Sequence, residues 1–221
     1  MKSPQPKQIS IVLVEDHRMF REQLGLLIDK TGEMAVVGQA DNVEEGFDLI
    51  EERRPSVAIV DITLKGSSGL ELLKRLRARQ IDVPVLILSM HDESLYAERA
   101  LHAGARGYVT KHEASEEVMV AVRQILRGDI YLNRRFMSRM AQKMMTGTEA
   151  SHGSIDRLAD RELEVFELIG RGLSTREIGE QLNLGVATVD TYKTRIKEKL
   201  NVENASRLRV EASRWVEENR S

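Results

Sequence analysis

Residues 11–20 read IVLVEDHRMF: four aliphatic residues run directly into two adjacent carboxylates, Glu15 and Asp16. An apolar run of this length, closed by charge, is the pattern of a parallel strand buried on both faces. Open α/β sheets place their ligand sites at the carboxyl ends of such strands. Two neighbouring anions repel each other there unless a cation holds them. The stretch therefore predicts a parallel sheet and a positively charged partner at its edge.

Outward from it, apolar runs at 9–14, 35–39, 57–60, 85–88 and 107–110 alternate with amphipathic stretches. In the first of these, Phe20, Leu24, Leu27 and Ile28 share one helix face. Further helical patterns cover roughly 43–54, 69–79, 94–102 and 115–128. Five strands alternating with five helices imply a doubly wound parallel sheet with right-handed crossovers. In the order 2-1-3-4-5 the first and third strands are neighbours at the topological switch point. Asp61, which ends the third, then meets Glu15 and Asp16 in one crevice. Carboxylate-rich, all-oxygen sites suit Mg²⁺.

Two more groups stand at strand ends: Ser89, which closes LILS, and Lys111 after GYVT. A carboxylate nucleophile, a hydroxyl, a lysine and a hard cation together fit phosphoryl transfer to Asp61 as an acyl phosphate. Single acidic residues at strand ends are ordinarily helix caps or turns. It is the repetition at successive strands that favours a site.

The chain has 221 residues, 33 Lys and Arg against 35 Asp and Glu, a net charge of −2 and no cysteine. Disulfides, thiolate metal sites and cysteine nucleophiles are excluded, and no whole-molecule field draws nucleic acid. MKSPQPKQIS lacks a signal peptide's apolar core, and no apolar run approaches the roughly 20 residues of a membrane span, so a cytoplasmic protein is expected. The five histidines, His17, His91, His102, His112 and His152, have no zinc-like spacing. Length and pattern suggest two domains: 1–128, then a connector over 129–154 with a short helix near 133–145 and a flexible Gly/Ser-rich stretch TGTEASHGS at 146–154, then 155–221.

The last segment is helical throughout, giving the chain an α/β plus all-α class. Ser174-Thr175-Arg176-Glu177 matches a capping box, and two helices joined by NLG suggest a helix-turn-helix. Residues 155–221 carry 12 Lys/Arg and 13 Asp/Glu, but KTRIKEK at 193–199 is locally basic. Such a stripe suits phosphate contacts in a groove, although charge runs are more often plain solvated helix faces. Leu208, Ala212, Trp215 and Val216 share a face of the final helix that either packs on its neighbours or forms a dimer contact.

The stretch from 8 to 128, with VEDH, DITLKGSSGLELL, LSMHDE and AGARGYVTK, resembles the receiver domain of two-component response regulators. Its VEDH and GYVTK forms are similar to the NarL/FixJ subfamily. The resemblance implies a flavodoxin-like fold and a phosphoacceptor Asp61 served by a sensor histidine kinase. It implies Mg²⁺ held by Glu15, Asp16, Asp61 and the Thr63 carbonyl, with Ser89 and Tyr108 as switch residues and Lys111 as phosphate partner. Where receivers commonly have Pro four residues after that Asp, this chain has Lys65, which is expected to loosen the loop and add charge. LADRELEVFELIGRGLSTREIGEQLNLGVATVDTYKTRIKEKLNVEN resembles the LuxR-type helix-turn-helix. That implies double-stranded DNA with inverted half-sites and a homodimer when phosphorylated. Asp190, Thr191 and Thr194 would face base edges, while Thr188, Lys193, Arg195 and Lys197 would sit on phosphates. Gly185 is expected as an N-cap, and Asp160 as the cap of the first helix of this domain.

Two rival readings fit parts of the chain. Hydrolases forming an aspartyl phosphate need a second Asp two residues on, where this chain has Thr63, and they need a substrate cap; the chain is therefore not read as an enzyme. A receiver acting only through protein contacts is favoured by Asp190 and the near-neutral domain charge, and opposed by the basic residues at 193–199.

Overall fold

The computed structural model describes residues 8–90, 93–146, 155 and 157–218. The chain divides into two compact units, Met1–Arg134 and Arg135–Ser221.

In the first unit, β1 (Ile9–Val14), β2 (Met34–Ala40), β3 (Val57–Asp61), β6 (Val85–Ser89) and β7 (Gly107–Thr110) form one parallel sheet ordered β2-β1-β3-β6-β7. This is the expected flavodoxin-like order. The helices α1 (Arg18–Lys30), α2 (Val43–Arg53), α3 (Gly69–Ala78), α4 (Glu93–Ala103) and α5 (Ala114–Leu126) connect the strands. Every residue of β3 and β6 is buried, which is why those strands read as unbroken apolar runs. Leu24 and Ile28 of α1 and Val118, Val122 and Ile125 of α5 close over Ile11, Leu13, Ile59 and Leu88 in one core cluster.

A short antiparallel hairpin lies between β3 and α3, where the sequence pattern predicts no strand. Its legs are β4 (Thr63–Leu64) and β5 (Ser67–Ser68), turning at Lys65 and Gly66, where Gly66 takes a φ of +70°. The expected loosening by Lys65 is not seen: this segment is paired, and the Lys65 ammonium lies 3.0 Å from Asp41 Oδ2. Ser68 caps α3, accepting the Leu70 N–H. Gly69 starts that helix so close to β3 that a Cβ there would stand 2.0 Å from the Asp61 carbonyl oxygen. Only glycine allows the backbone this approach.

Past α5 the chain returns to the sheet. Tyr131 donates its N–H to the Arg106 carbonyl at 2.9 Å, and its own carbonyl accepts the Tyr108 N–H at 3.0 Å, forming a parallel bridge to Gly107. Tyr131 thus belongs to the first unit although it lies beyond residue 128.

α6 (Arg134–Thr146) is the expected connecting helix; residues 147–154 of the expected flexible stretch, with His152, and also His91, lie outside the described residues. The second unit also holds α7 (Asp160–Gly170), α8 (Thr175–Leu182), α9 (Val186–Leu200) and α10 (Ala205–Glu218). α7 is its central helix, buried from Arg161 to Ile169. The Ser174–Glu177 capping box is present at α8, with both reciprocal bonds made. Asn183 ends α8 in the left-handed conformation and Gly185 is the N-cap of α9. Asp160 does not cap α7: Ala159 holds that position, and the Glu162 carboxylate accepts its N–H at 2.7 Å. Among the described residues no helix is long and apolar enough to cross a membrane.

The apolar face of α10 is committed inward. Leu208, Ala212 and Trp215 are buried, and the Trp215 and Phe166 rings meet with centroids 5.4 Å apart. A Cβ on Gly170 of α7 would stand 2.4 Å from the Ala212 carbonyl oxygen, so the two helices are in close contact. Of the two expectations for this face, these contacts show packing on its neighbours, with Val216 left partly exposed.

Candidate functional site

The sheet brings the three predicted carboxylates together. Glu15 and Asp16 end β1, Asp61 ends the adjacent β3, and oxygens of all three lie within 4.8 Å of one another. Glu15 and Asp61 are each only 4% exposed. Lys111 arrives from the end of β7, with its ammonium 2.6 Å from Glu15 Oε2 and 2.7 Å from Asp61 Oδ2. Lys111 thus supplies positive charge from within the chain, beside the Mg²⁺ that the carboxylate set is expected to suit. It also stands 4.9 Å over the Phe20 ring. Neither this ring nor the Arg21 guanidinium, which donates to the Glu15 carbonyl, was identified as part of the site; both lie on α1, where spacing read Phe20 as an ordinary core contact.

Burial pushes the Asp61 carboxyl up to about 7; the nearby Glu15 adds to this, while the Lys111 charge and hydrogen bond and the Thr63 backbone N–H oppose it. Burial by itself would lower Lys111, but the Asp61 and Glu15 charges outweigh it and hold its pKa above the ordinary value. Glu15 is further anchored by the His17 N–H, 3.0 Å from its Oε1.

Ser89 ends β6, fully buried, one step beyond Leu88, the register partner of Asp61. It pairs in register with Thr110, which precedes Lys111. Tyr108 is completely buried on β7, in an inward position. Thr63 follows Asp61 by two residues and opens β4.

In the second unit, Thr188, Asp190, Thr191, Thr194 and Arg195 lie exposed on one face of α9, at the helical spacing expected of them. The Thr191 and Thr194 hydroxyls donate back to the Ala187 and Asp190 carbonyls at 2.9 and 3.1 Å. The basic stripe is less uniform than its charge suggests. Lys193 is half-buried and donates to Thr175 of α8; burial, then repulsion from Arg209, lowers its pKa, with Asp190 opposing. Lys199 is drawn 2.6 Å from Glu162 of α7. Lys197 is half-buried along a groove of about 430 Å³ between α9 and α10, which Asp190, Thr194 and Arg209 also line. Arg161 and Glu162 hold this domain together. Arg161 donates to the Leu182 carbonyl at the end of α8 at 2.7 Å and pairs with the buried Glu164.

A buried carboxylate–lysine crevice at the switch point of a doubly wound sheet, joined to a helix-turn-helix, defines a regulator with a receiver domain and a DNA-binding domain. Residues 11–123 match the family described as response regulator receiver domain, and residues 156–212 match the bacterial regulatory proteins of the luxR family. BvgA of Bordetella pertussis, a virulence-factor transcription regulator, is 35% identical over 86% of this chain and 90% of its own. The oxygen regulatory protein NreC of Staphylococcus carnosus is 31% identical, covering 90% of this chain and 94% of that protein. Among solved structures, a LuxR-family two-component response regulator from Aurantimonas sp. SI85-9A1 aligns with a TM-score of 0.59 at 32% identity, over 63% of this chain and 99% of that one. RcsB of Salmonella enterica, bound to promoter rprA, shares the fold with a TM-score of 0.59 at 21% identity, over 94% of this chain and 99% of that one. The chain belongs to the LuxR-type two-component response regulators.

Proposed function

We propose that this protein is a phosphorylation-controlled transcription regulator in which Asp61 takes a phosphoryl group from the phosphohistidine of a sensor kinase. The observation that carries this reading is Lys111 bridging Asp61 and Glu15 in a buried crevice. An Asp61 carboxylate oxygen attacks phosphorus and the P–N bond breaks, its electron pair returning to the imidazole; the product is an acyl phosphate. Lys111 supplies a fixed positive charge for the phosphoryl oxygens, and the Ser89 hydroxyl donates to one of them. Glu15, Asp16 and Asp61 would hold Mg²⁺ with the Thr63 carbonyl, an oxygen set suited to a hard ion. When bound, Mg²⁺ offsets charge that builds on the transferring group. Ser89 and Tyr108 then bias a two-state surface.

On the DNA side, Asp190 accepts from cytosine N4, while the Thr191 and Thr194 methyls, their hydroxyls being turned onto the helix, touch thymine. Arg195, Lys197, Lys193 and Thr188 position α9 on the backbone. A dimer on inverted half-sites uses a surface other than Leu208, Ala212 and Trp215, which are buried within the domain.

The test is DNA affinity on a selected operator pool, with Mg²⁺ and a small acyl-phosphate donor, for wild type and Asp61→Asn. Tighter binding of the wild type alone supports the reading. Equal binding of both with and without donor refutes phosphorylation control. Binding by neither, to any sequence, favours a receiver that acts through protein contacts.

A further inference from the structure

Lys65 departs from the receiver pattern and has no part in the chemistry above, yet it is placed with care. It sits at the tip of the β4–β5 hairpin that follows β3, and pairs with Asp41, the residue that follows β2. In the sheet, β1 lies between those two strands. The pair therefore spans the carboxyl end of β1, where Glu15 and Asp16 stand.

Asp41 is itself held by a second partner. The Asn42 amide donates to its Oδ1 at 2.9 Å, and Asn42 is in turn the N-cap of α2, accepting the Glu45 N–H at 3.0 Å. That amide first, and the Lys65 ammonium second, keep the Asp41 carboxyl below its ordinary pKa; Arg21, which also donates to the Glu15 carbonyl, adds attraction. Segments following β2 and β3 are thus tied through one carboxylate. The other leg of the hairpin is fixed by Ser68 at the start of α3. Asp61 and Thr63 lie on the leg that leads into Lys65, where Thr63 pairs with Ser68.

We propose that the Lys65–Asp41 pair is a positioning clasp, which holds the loop bearing Asp61 and Thr63 in register with Glu15 and Asp16. The clasp rests on the reading of that crevice as a phosphoacceptor site. Both side chains are partly exposed, at 52% and 35%, so solvent screens their charge and the effect is one of geometry.

Calorimetric titration of Mg²⁺ into the full chain, alongside the rate of phosphate uptake from acetyl phosphate, tests this on wild type, Lys65→Ala, Asp41→Asn and the double variant. A clasp is broken equally by removing either end. Both single variants are expected to bind Mg²⁺ about two- to five-fold more weakly, with the double variant no weaker than either. The exchanged pair, Lys65→Asp with Asp41→Lys, is expected to regain part of the loss. Opposite shifts, with Lys65→Ala binding more tightly, would make Lys65 a mere local charge and overturn the clasp. So would unchanged titrations in variants of a wild type that binds Mg²⁺ and takes up phosphate. A wild type that neither binds Mg²⁺ nor takes up phosphate would instead sink the underlying reading, and the clasp with it.

Discussion

The Lys111 ammonium and the Asp61 carboxylate, which come from two strands separated in the sheet by β6, stand 2.7 Å apart where both side chains are almost wholly shielded from water. A buried charge is tolerated only while its partner stays.

Lys111→Met should therefore leave Glu15 and Asp61 facing each other unneutralised. A loss of about 3 kcal/mol in folding stability is expected at neutral pH without divalent ions. Adding Mg²⁺ should recover much of it, because the ion replaces the missing positive charge. Urea denaturation with and without Mg²⁺ measures both effects; a variant as stable as wild type in the absence of Mg²⁺ would contradict the role assigned to this pair.

The raised Asp61 carboxyl makes a signed prediction about pH. In the folded chain it holds its proton to about 7, while an unfolded Asp releases its own near 4. The native state then binds more protons than the unfolded state in that window, so this group's contribution to stability falls as pH rises from about 4 to about 7. Asp61→Asn removes this contribution. Without Mg²⁺, the variant should gain on wild type steadily across that range in thermal melts. A stability difference independent of pH would refute it.

Arg195 and Lys199 separate DNA contact from architecture within one basic stripe. Arg195 is exposed on the outer face of α9, so Arg195→Ala should weaken binding on all sequences alike and lower the salt slope by about 1. Lys199 is engaged by Glu162, so Lys199→Ala should leave the slope nearly intact and cost stability instead, about 1 kcal/mol or less for a pair with one end exposed. Salt-dependent binding isotherms beside denaturation curves distinguish the two. Identical slope changes would show that the helix presents both cations to DNA.

Trp215→Ala is expected to cost about 3 kcal/mol or more, since the indole fills the space against Phe166. The denaturation midpoint should drop at every protein concentration. A loss that appears only at low concentration would restore Trp215 to a subunit interface.

Much of this architecture was legible in the sequence because its strongest signals are periodic. Buried parallel strands must be apolar throughout, so β1, β3 and β6 stand out, and charges closing β1 and β3 mark Glu15, Asp16 and Asp61, as the one after β7 marks Lys111. Side-chain traffic between distant elements left no such trace. Nothing in the spacing puts Phe20 under Lys111, ties Lys199 to Glu162, or turns Lys193 onto Thr175. The β4–β5 hairpin escaped for a different reason: two-residue strands are too short to show a period. The face of α10 was ambiguous because an apolar stripe looks the same whether it meets its own domain or another copy. The contact with α7 shows that Leu208, Ala212 and Trp215 meet their own domain.

The bridge from Tyr131 to Gly107 and Tyr108 has a consequence for what counts as the end of the receiver. β7 is the outermost strand of the sheet, and outermost strands invite the backbone of another molecule to pair with them. The chain meets that hazard by laying its own continuation along the border, at a spot where Gly107 leaves room for the Tyr131 side chain, whose Cβ would otherwise meet an added Cβ at 3.1 Å. A receiver severed at Gly128 would bare that border and tend to self-associate, whereas one ending beyond Tyr131 would carry its own guard.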